Sequence, residues 1–225
     1  VLEYREMGYV PEAMVNFLAL LGWSLDDKTE VLSPRELVES FSLERVSKAG
    51  AVFSTDKLDW LNGHYIRDMA QDELADALLE YWRLYPSEEV PELPDRGYLL
   101  RIVPLIQERL KTLKDAAPLV SFFFRAKVDY QTQDLVQKGM DAEGTGRALR
   151  EAAAALERLG AFDSESIEGV LRPLASELGL KVGQLLGALR IAVTGQRVAP
   201  PLFETMEVLG RERSLTAISE AAEQL

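Results

Sequence analysis

The chain has 225 residues, 47% of them hydrophobic, with 37 acidic and 25 basic side chains and a net charge of −12, which is enough length and apolar material for one large or two to three small packed domains. It has no cysteine and a single histidine, His64, so disulfides and thiol chemistry are excluded and a zinc site has no ligand set. No apolar run reaches the roughly 18 residues of a membrane span, and no signal-peptide pattern opens the chain, so a cytoplasmic protein with no membrane partner is expected.

Helix signals follow one another along the chain. Pro11 suits a first helical turn, and Ala13, Phe17, Leu18 and Leu21 recur at helical spacing before Gly22. Ser33-Pro34-Arg35-Glu36 is a capping box with proline at the first helical position. Ser54-Thr55-Asp56 precedes a helix with Leu58, Leu61 and Tyr65 on one side, and Asp72 to Tyr85 repeats the pattern through Leu74, Leu78, Tyr81 and Trp82. A proline- and acid-rich connector, 86–95, then leads into an apolar-periodic run from Tyr98 to Leu113 that Pro104 should kink or interrupt.

Leu119 to Phe124 is short and densely apolar, and 138–146, with three glycines, reads as a linker. Five more helices are expected over 147–159, 164–178, 181–194, 201–209 and 212–225, with Gly160, Gly179, Gly195 and Gly210 as stops. No alternating strand and no internal repeat is visible. The predicted fold class is all-α: two helical bundles preceded by a smaller helical segment.

Catalytic constellations are missing from the pattern. There is no His-x-Gly-His signature, no Gly-x-Gly-x-x-Gly motif and no Walker loop. Paired acids such as Asp26-Asp27 and Glu88-Glu89 read as solvated turns. Ser47 and Lys48 are adjacent, so they would not face each other on a helix. His64, beside Trp60 and Tyr65, reads as a packing residue.

Charge is unevenly spread. Residues 96–127 hold seven basic side chains (Arg96, Arg101, Arg109, Lys111, Lys114, Arg125 and Lys127) against two acidic ones, within an otherwise acidic chain. A phosphate backbone needs positive potential only within about a Debye length, ~8 Å. The island is therefore compatible with nucleic acid, although on the residues alone chance clustering on a solvated helix face is the simpler reading.

Three segments give these features a frame. Asp56 to Arg67, DKLDWLNGHYIR, resembles the middle of bacterial glutamyl-tRNA synthetase. So do Tyr4-Arg5-Glu6-Met7-Gly8-Tyr9 with Pro11-Glu12-Ala13, and Asn16 to Trp23. Arg45-Val46-Ser47-Lys48 imitates that family's Lys-x-Ser-Lys ATP loop, but the family's true loop lies just upstream of the Tyr-Arg-Glu segment and would precede Val1. The resemblance implies the C-terminal, tRNA-binding half of a glutamate–tRNA ligase: the end of a stem-contact region (1–70), a first anticodon-binding bundle (71–142) and a second (143–225). It further implies that the N-terminal catalytic domain is missing, that this chain carries no cofactor, ATP and Mg²⁺ belonging to the intact enzyme, and that the chain alone is inactive. A monomer is expected, since no heptad seam is evident.

The resemblance also places site residues. Glu108-Arg109-Leu110-Lys111-Thr112-Leu113 is similar to the family's Glu-Arg-x-x-Thr-Leu element, whose arginine meets the third anticodon base. A guanidinium presents fixed donors; the cytosine edge offers two acceptors, whereas guanine turns two donors towards it. Since Glu and Gln anticodons differ by cytosine against guanine there, Arg109 is expected to separate tRNA-Glu from tRNA-Gln, which argues against a non-discriminating relative that charges both. Leu189-Arg190-Ile191-Ala192-Val193-Thr194-Gly195 and Pro200-Pro201-Leu202-Phe203-Glu204 resemble the family's second reading element. By that resemblance Arg190, Pro200, Leu202 and Phe203 lie at the first two anticodon positions, with Leu202 or Phe203 offering a surface to a base and Arg190 pairing with a base edge or phosphate. Ala199 replaces a hydroxyl residue found in some relatives.

Phosphate contacts are expected from Arg101, Lys111, Lys114, Arg125 and Lys127, and from Arg5, Lys48, Lys57 and Arg67 in the stem-contact region. The competing reading is a synthetase-derived helical interaction module that no longer binds tRNA, which the acidic surface favours.

Overall fold

A computed structural model describes residues 2–47, 50 and 52–225. Among them the regular elements are all helical, apart from one isolated antiparallel bridge between Ser87 and Val90, as the all-α reading required. The chain forms two compact units, Val1–Pro118 and Leu119–Leu225.

The first unit contains α1 (Leu2–Glu6), α2 (Pro11–Leu20), α3 (Pro34–Ser40), α4 (Thr55–Asp68), α5 (Gln71–Leu84) and α6 (Arg96–Ile106). The capping signals act as read. Ser33 Oγ accepts from the Glu36 amide, and the Glu36 carboxylate accepts from the Ser33 amide at 2.8 Å, so two otherwise orphaned donors of α3 are satisfied. The hydroxyl and amide of Ser33 hold the Glu36 carboxyl below its ordinary range. Asp95 caps α6 through the Tyr98 amide at 2.9 Å.

The apolar stripes of α2 and α4 meet in a core of Tyr9, Phe17, Leu58 and Leu61, and Trp23, Leu32 and Leu37 form a neighbouring cluster. Buried Asn16 joins the two: its Oδ1 accepts from the Leu32 amide at 2.9 Å and the Tyr65 hydroxyl at 2.8 Å. The false ATP loop is part of this packing. Arg45 donates to the Ser24 and Leu25 carbonyls and lies over Trp23, and the Ser47 amide donates to the Gly22 carbonyl. Lys48 lies outside the described residues.

Two expectations need correction. The run from Tyr98 to Leu113 is not one helix. α6 continues past Pro104 to Ile106, tightens into a 3-10 turn at Gln107–Arg109, and is extended at Leu110. The segment 138–146 is not wholly a linker, because α9 (Ala142–Glu157) takes up Gly144 and Gly146. Asp141 starts that helix early by accepting from the Gly144 amide at 2.7 Å.

The unit boundary falls within α7 (Ala116–Phe124), which absorbs the dense apolar segment. In the second unit, α8 (Thr132–Leu135) and α9 are followed by α10 (Ser164–Glu177), α11 (Val182–Thr194), α12 (Leu202–Leu209) and α13 (Arg211–Glu223). Here α13 packs chiefly on α9, and Leu149, Leu156, Leu171, Leu185, Leu189, Met206 and Ile218 are buried between the helices.

Candidate nucleic-acid interface

Arg109 closes the 3-10 turn after α6, and the backbone from Gln107 to Asp115 is fixed at several points. The half-turn starts at buried Gln107, whose Nε2 donates to the carbonyls of Ile66, Arg67 and Met69 at 2.9, 3.3 and 2.8 Å. These carbonyls lie at the C-terminal end of α4, where the supply of helical amide donors runs out. Asn62, fully buried on α4, accepts from the Val10 amide at 2.8 Å and donates from Nδ2 to the Lys111 carbonyl at 2.5 Å.

Asp115 gathers the amides of Lys111 and Thr112 at 3.1 and 2.8 Å, and the Leu113 amide donates to the Gly8 carbonyl at 2.9 Å. Gly63 lets α4 approach this closely: a Cβ there would stand 3.2 Å from the Leu110 carbonyl oxygen and 3.5 Å from Lys111 Cα. The backbone is thus committed inward, and the side chains of Arg109, Lys111 and Lys114 are exposed.

The structure sorts the basic island by partner. Arg96 makes a two-point contact with Asp76 at 2.6 and 2.9 Å, which serves α5 and α6. Arg125 stands 3.8 Å from Asp129, and Lys127 pairs with Glu220 at 3.1 Å, both within the second unit. Arg101 is exposed and already engaged. Among the described residues, no acid pairs with Arg109, Lys111 or Lys114, so these three keep their charge available to a ligand. In the earlier segment, Arg5 pairs with Glu80 at 3.0 Å and Lys57 with Glu30 at 2.6 Å, while the guanidinium of Arg67, itself on α4, folds back along the helix to Gly63.

The second group forms around the loop that follows α11. Gly195 ends that helix with φ of +70°, a conformation that L side chains rarely adopt, and a Cβ there would meet the Asp129 carbonyl oxygen at 2.7 Å. Thr194 Oγ1 donates to the Arg190 carbonyl at 2.7 Å and accepts from the Gln196 amide at 3.1 Å. Arg190 reaches across the loop, its Nη1 donating to the Ala199 and Pro200 carbonyls at 3.3 and 2.9 Å. Arg197 is tied to Asp134 at 2.7 Å, leaving Val198 the most exposed apolar side chain of the loop, at 76%.

The structure therefore brings Arg190, Pro200, Leu202 and Phe203 together, but with different tasks. Nη1 of Arg190 braces the loop. Pro200 and Leu202 are buried, Leu202 at 4% exposure. Of the two apolar side chains expected to offer a surface, Phe203 has one, half-buried at the start of α12, with the Arg172 guanidinium over its ring at 5.7 Å. Asn62, Gln107 and Arg172 were missed by sequence reasoning. Asn62 had a readable signal: a polar residue at helical spacing with Leu58, on a face that is otherwise apolar. Among the described residues no group of three or more His, Cys, Asp or Glu could hold a metal ion.

Comparison with known proteins gives the family. A family model described as an anticodon binding domain matches residues 73–222, and one for the catalytic domain of class I (E and Q) tRNA synthetases matches residues 1–60. A glutamate–tRNA ligase of Dehalococcoides mccartyi (strain 195) is 47% identical over 224 residues, covering 100% of this chain and 46% of the relative. One from Roseiflexus castenholzii is 46% identical over 219 residues, covering 97% and 43%. A crystal structure of a glutamate tRNA ligase from Elizabethkingia meningosepticum, in complex with its amino acid, superposes with a TM-score of 0.82 at 31% identity, over 98% of this chain and 42% of that one. The chain thus spans somewhat under half the length of the relatives it matches.

Proposed function

Because the chain belongs to the anticodon-binding-domain family, which accounts for residues 73–222, we propose that it is the tRNA-binding, anticodon-recognising half of a glutamate–tRNA ligase. Residues 1–70 contact the inner stem, 71–142 read the third anticodon base, and 143–225 read the first two. The partner is tRNA-Glu, and the protein works as a monomer in the cytoplasm. Activation of glutamate with ATP and Mg²⁺ belongs to the catalytic part of the longer relatives. In this reading the present chain contributes affinity and identity.

The observation that carries the reading is Arg109: an exposed guanidinium with no pairing acid among the described residues, on a turn fixed by Gln107, Asn62 and Asp115. A fixed turn loses little conformational freedom on binding, and a guanidinium presents a donor fork. Facing cytosine, the fork meets acceptors; facing guanine, it meets donors. Single-stranded loop bases are read in this way, splayed and bonded along their edges. Phe203 supplies a face for a base in the second unit, and the Arg190-braced loop positions it.

The test is binding to tRNA-Glu carrying cytosine or guanine at the third anticodon position, at two salt concentrations. Salt-sensitive binding that prefers cytosine is expected. Arg109→Ala should remove about 1–3 kcal/mol of that preference. An unchanged ratio in the variant refutes the role of Arg109, and failure of the wild-type chain to bind either tRNA favours the interaction-module reading.

A further inference from the structure

Building on the function proposed above, we infer that the apolar groove between α2 and α3 is an interaction surface on which the catalytic part of a glutamate–tRNA ligase seats, the part of the longer relatives that lies outside this chain.

The sequence of α2 calls for a cover. In PEAMVNFLAL the polar side chains are Glu12 and Asn16, and Asn16 is fully buried. Ala13 and Phe17 face the core, yet Val15 and Leu18 are 56% and 49% exposed. A helix that is apolar nearly all round belongs inside a protein rather than at its surface. The next helix, α3, repeats the pattern: Leu37 is buried in the cluster with Trp23 and Leu32, while Val38 is 84% exposed.

The two outward stripes meet. Val15, Leu18, Val38, Phe41 and Val46 line a groove of about 520 Å³, with Gly22 among its walls. The Trp23 ring backs that of Phe41 at 5.6 Å between centres, and the Ser47 amide donates to the Gly22 carbonyl at 2.6 Å, which holds the chain beside Val46 against the end of α2. The groove is thus formed before anything binds, so little conformational freedom is lost on docking. No charged side chain among the described residues lines it, so it is no path for a phosphate backbone, which needs cations. Arg35 and Glu39, paired at 2.7 Å and well exposed on α3, flank Val38. A polar rim around an apolar centre is the anatomy of a protein–protein interface.

Position in the chain identifies the occupant. Among the described residues, eleven of the fourteen exposed large apolar side chains lie in residues 1–60, the stretch matched by the catalytic-domain model, although that stretch is little more than a quarter of the chain. The other three are Leu84, Leu93 and Val198. A contact between two copies of this chain has no reason to follow that boundary. A catalytic domain of which residues 1–60 are one part does, because its hydrophobic core must continue across them. The fold also matches that of a longer ligase with a TM-score of 0.82 while covering 42% of it, so these helices need not rearrange to receive the rest.

The test compares this chain with the Dehalococcoides mccartyi ligase, both intact and without tRNA, by carbene labelling read residue by residue. Positions matching Val15, Leu18, Val38 and Phe41 should label about fivefold less in the longer protein, as half-exposed side chains do on entering the packed centre of an interface. The loop position matching Val198 should label alike in both. Val38→Asp should leave the melt of this chain unmoved, since it is a surface change here. The matching substitution should lower the melt of the longer ligase, where it strands a charge beneath the catalytic part.

Equal labelling of the groove in both proteins, or a longer ligase whose melt is unmoved, overturns the inference. So does sedimentation that shows this chain to be a dimer dissociated by Val38→Asp, which gives the groove to a second copy. No tRNA enters these measurements, so their failure leaves the anticodon-reading function standing, and tRNA binding by this chain tests that function separately.

Discussion

Removing the Asn62 amide tests whether the Arg109 turn is held from beneath. In Asn62→Ala, the Val10 amide and the Lys111 carbonyl both lose their partner at a fully buried position. Each stranded polar group costs about 1–3 kcal/mol, so the expected loss is about 2–6 kcal/mol, towards the lower end where water enters the space left behind. That is a large share of the roughly 5–15 kcal/mol that stabilises a typical domain.

The three tryptophans, Trp23, Trp60 and Trp82, all fall in the first unit. Their fluorescence during urea unfolding therefore reports that unit, and far-UV circular dichroism reports the whole chain. The tryptophan-reported midpoint should fall well below that of the wild type. Asn62→Asp adds a sign test. Its carboxylate can still accept from the Val10 amide but repels the Lys111 carbonyl, so this variant should gain stability as pH falls and the carboxyl becomes able to donate. The cytosine preference proposed above should weaken in both variants. A tryptophan transition within about 0.5 kcal/mol of wild type for Asn62→Ala would refute the brace, because that is the size of an unremarkable surface change.

Two further outcomes follow from other parts of the fold. Gly195→Ala should destabilise the second unit by about 1–3 kcal/mol, since alanine at a φ of +70° drives its Cβ into the Asp129 carbonyl; circular dichroism melts read the loss, and an unchanged melt contradicts the geometry. Burial, with lesser contributions from Tyr85 and Glu6, pushes the Tyr81 hydroxyl up to about 12 from 10.0. The folded state thus favours the protonated phenol: the stability this gives is fully present below pH 10 and is lost as pH rises towards 12. Tyr81→Phe should flatten that part of the alkaline stability profile, and an identical profile would refute it.

What could be read from the sequence depended on how local the cause was. The capping box at Ser33 and Glu36 and the stop at Gly195 involve neighbours within four residues, so they were legible and they form as read. The path after Pro104 was not. Residues 108–113 have ordinary helical character, yet the helix ends because Gln107 bonds the end of α4 and Asn62 bonds Lys111, partners about forty and fifty positions away. The linker expected over 138–146 failed for a local reason, since Asp141 is a strong cap and outweighs two glycines. Arg190 was picked out by its motif, but the destination of its Nη1 depends on a loop whose shape periodicity cannot give.

The braces have an engineering consequence. The turn at 107–115 is held by Gly8, Asn62, Gln107 and Asp115, and the loop at 195–201 by Arg190, Thr194 and Asp134. Each set lies within its own unit. A chimera that trades residues 119–225 for those of another family member should carry its loop across ready-made, with no compensating change around Arg109. Under the proposed function, such recombination would retune the reading of two bases and leave the reading of the third as it was.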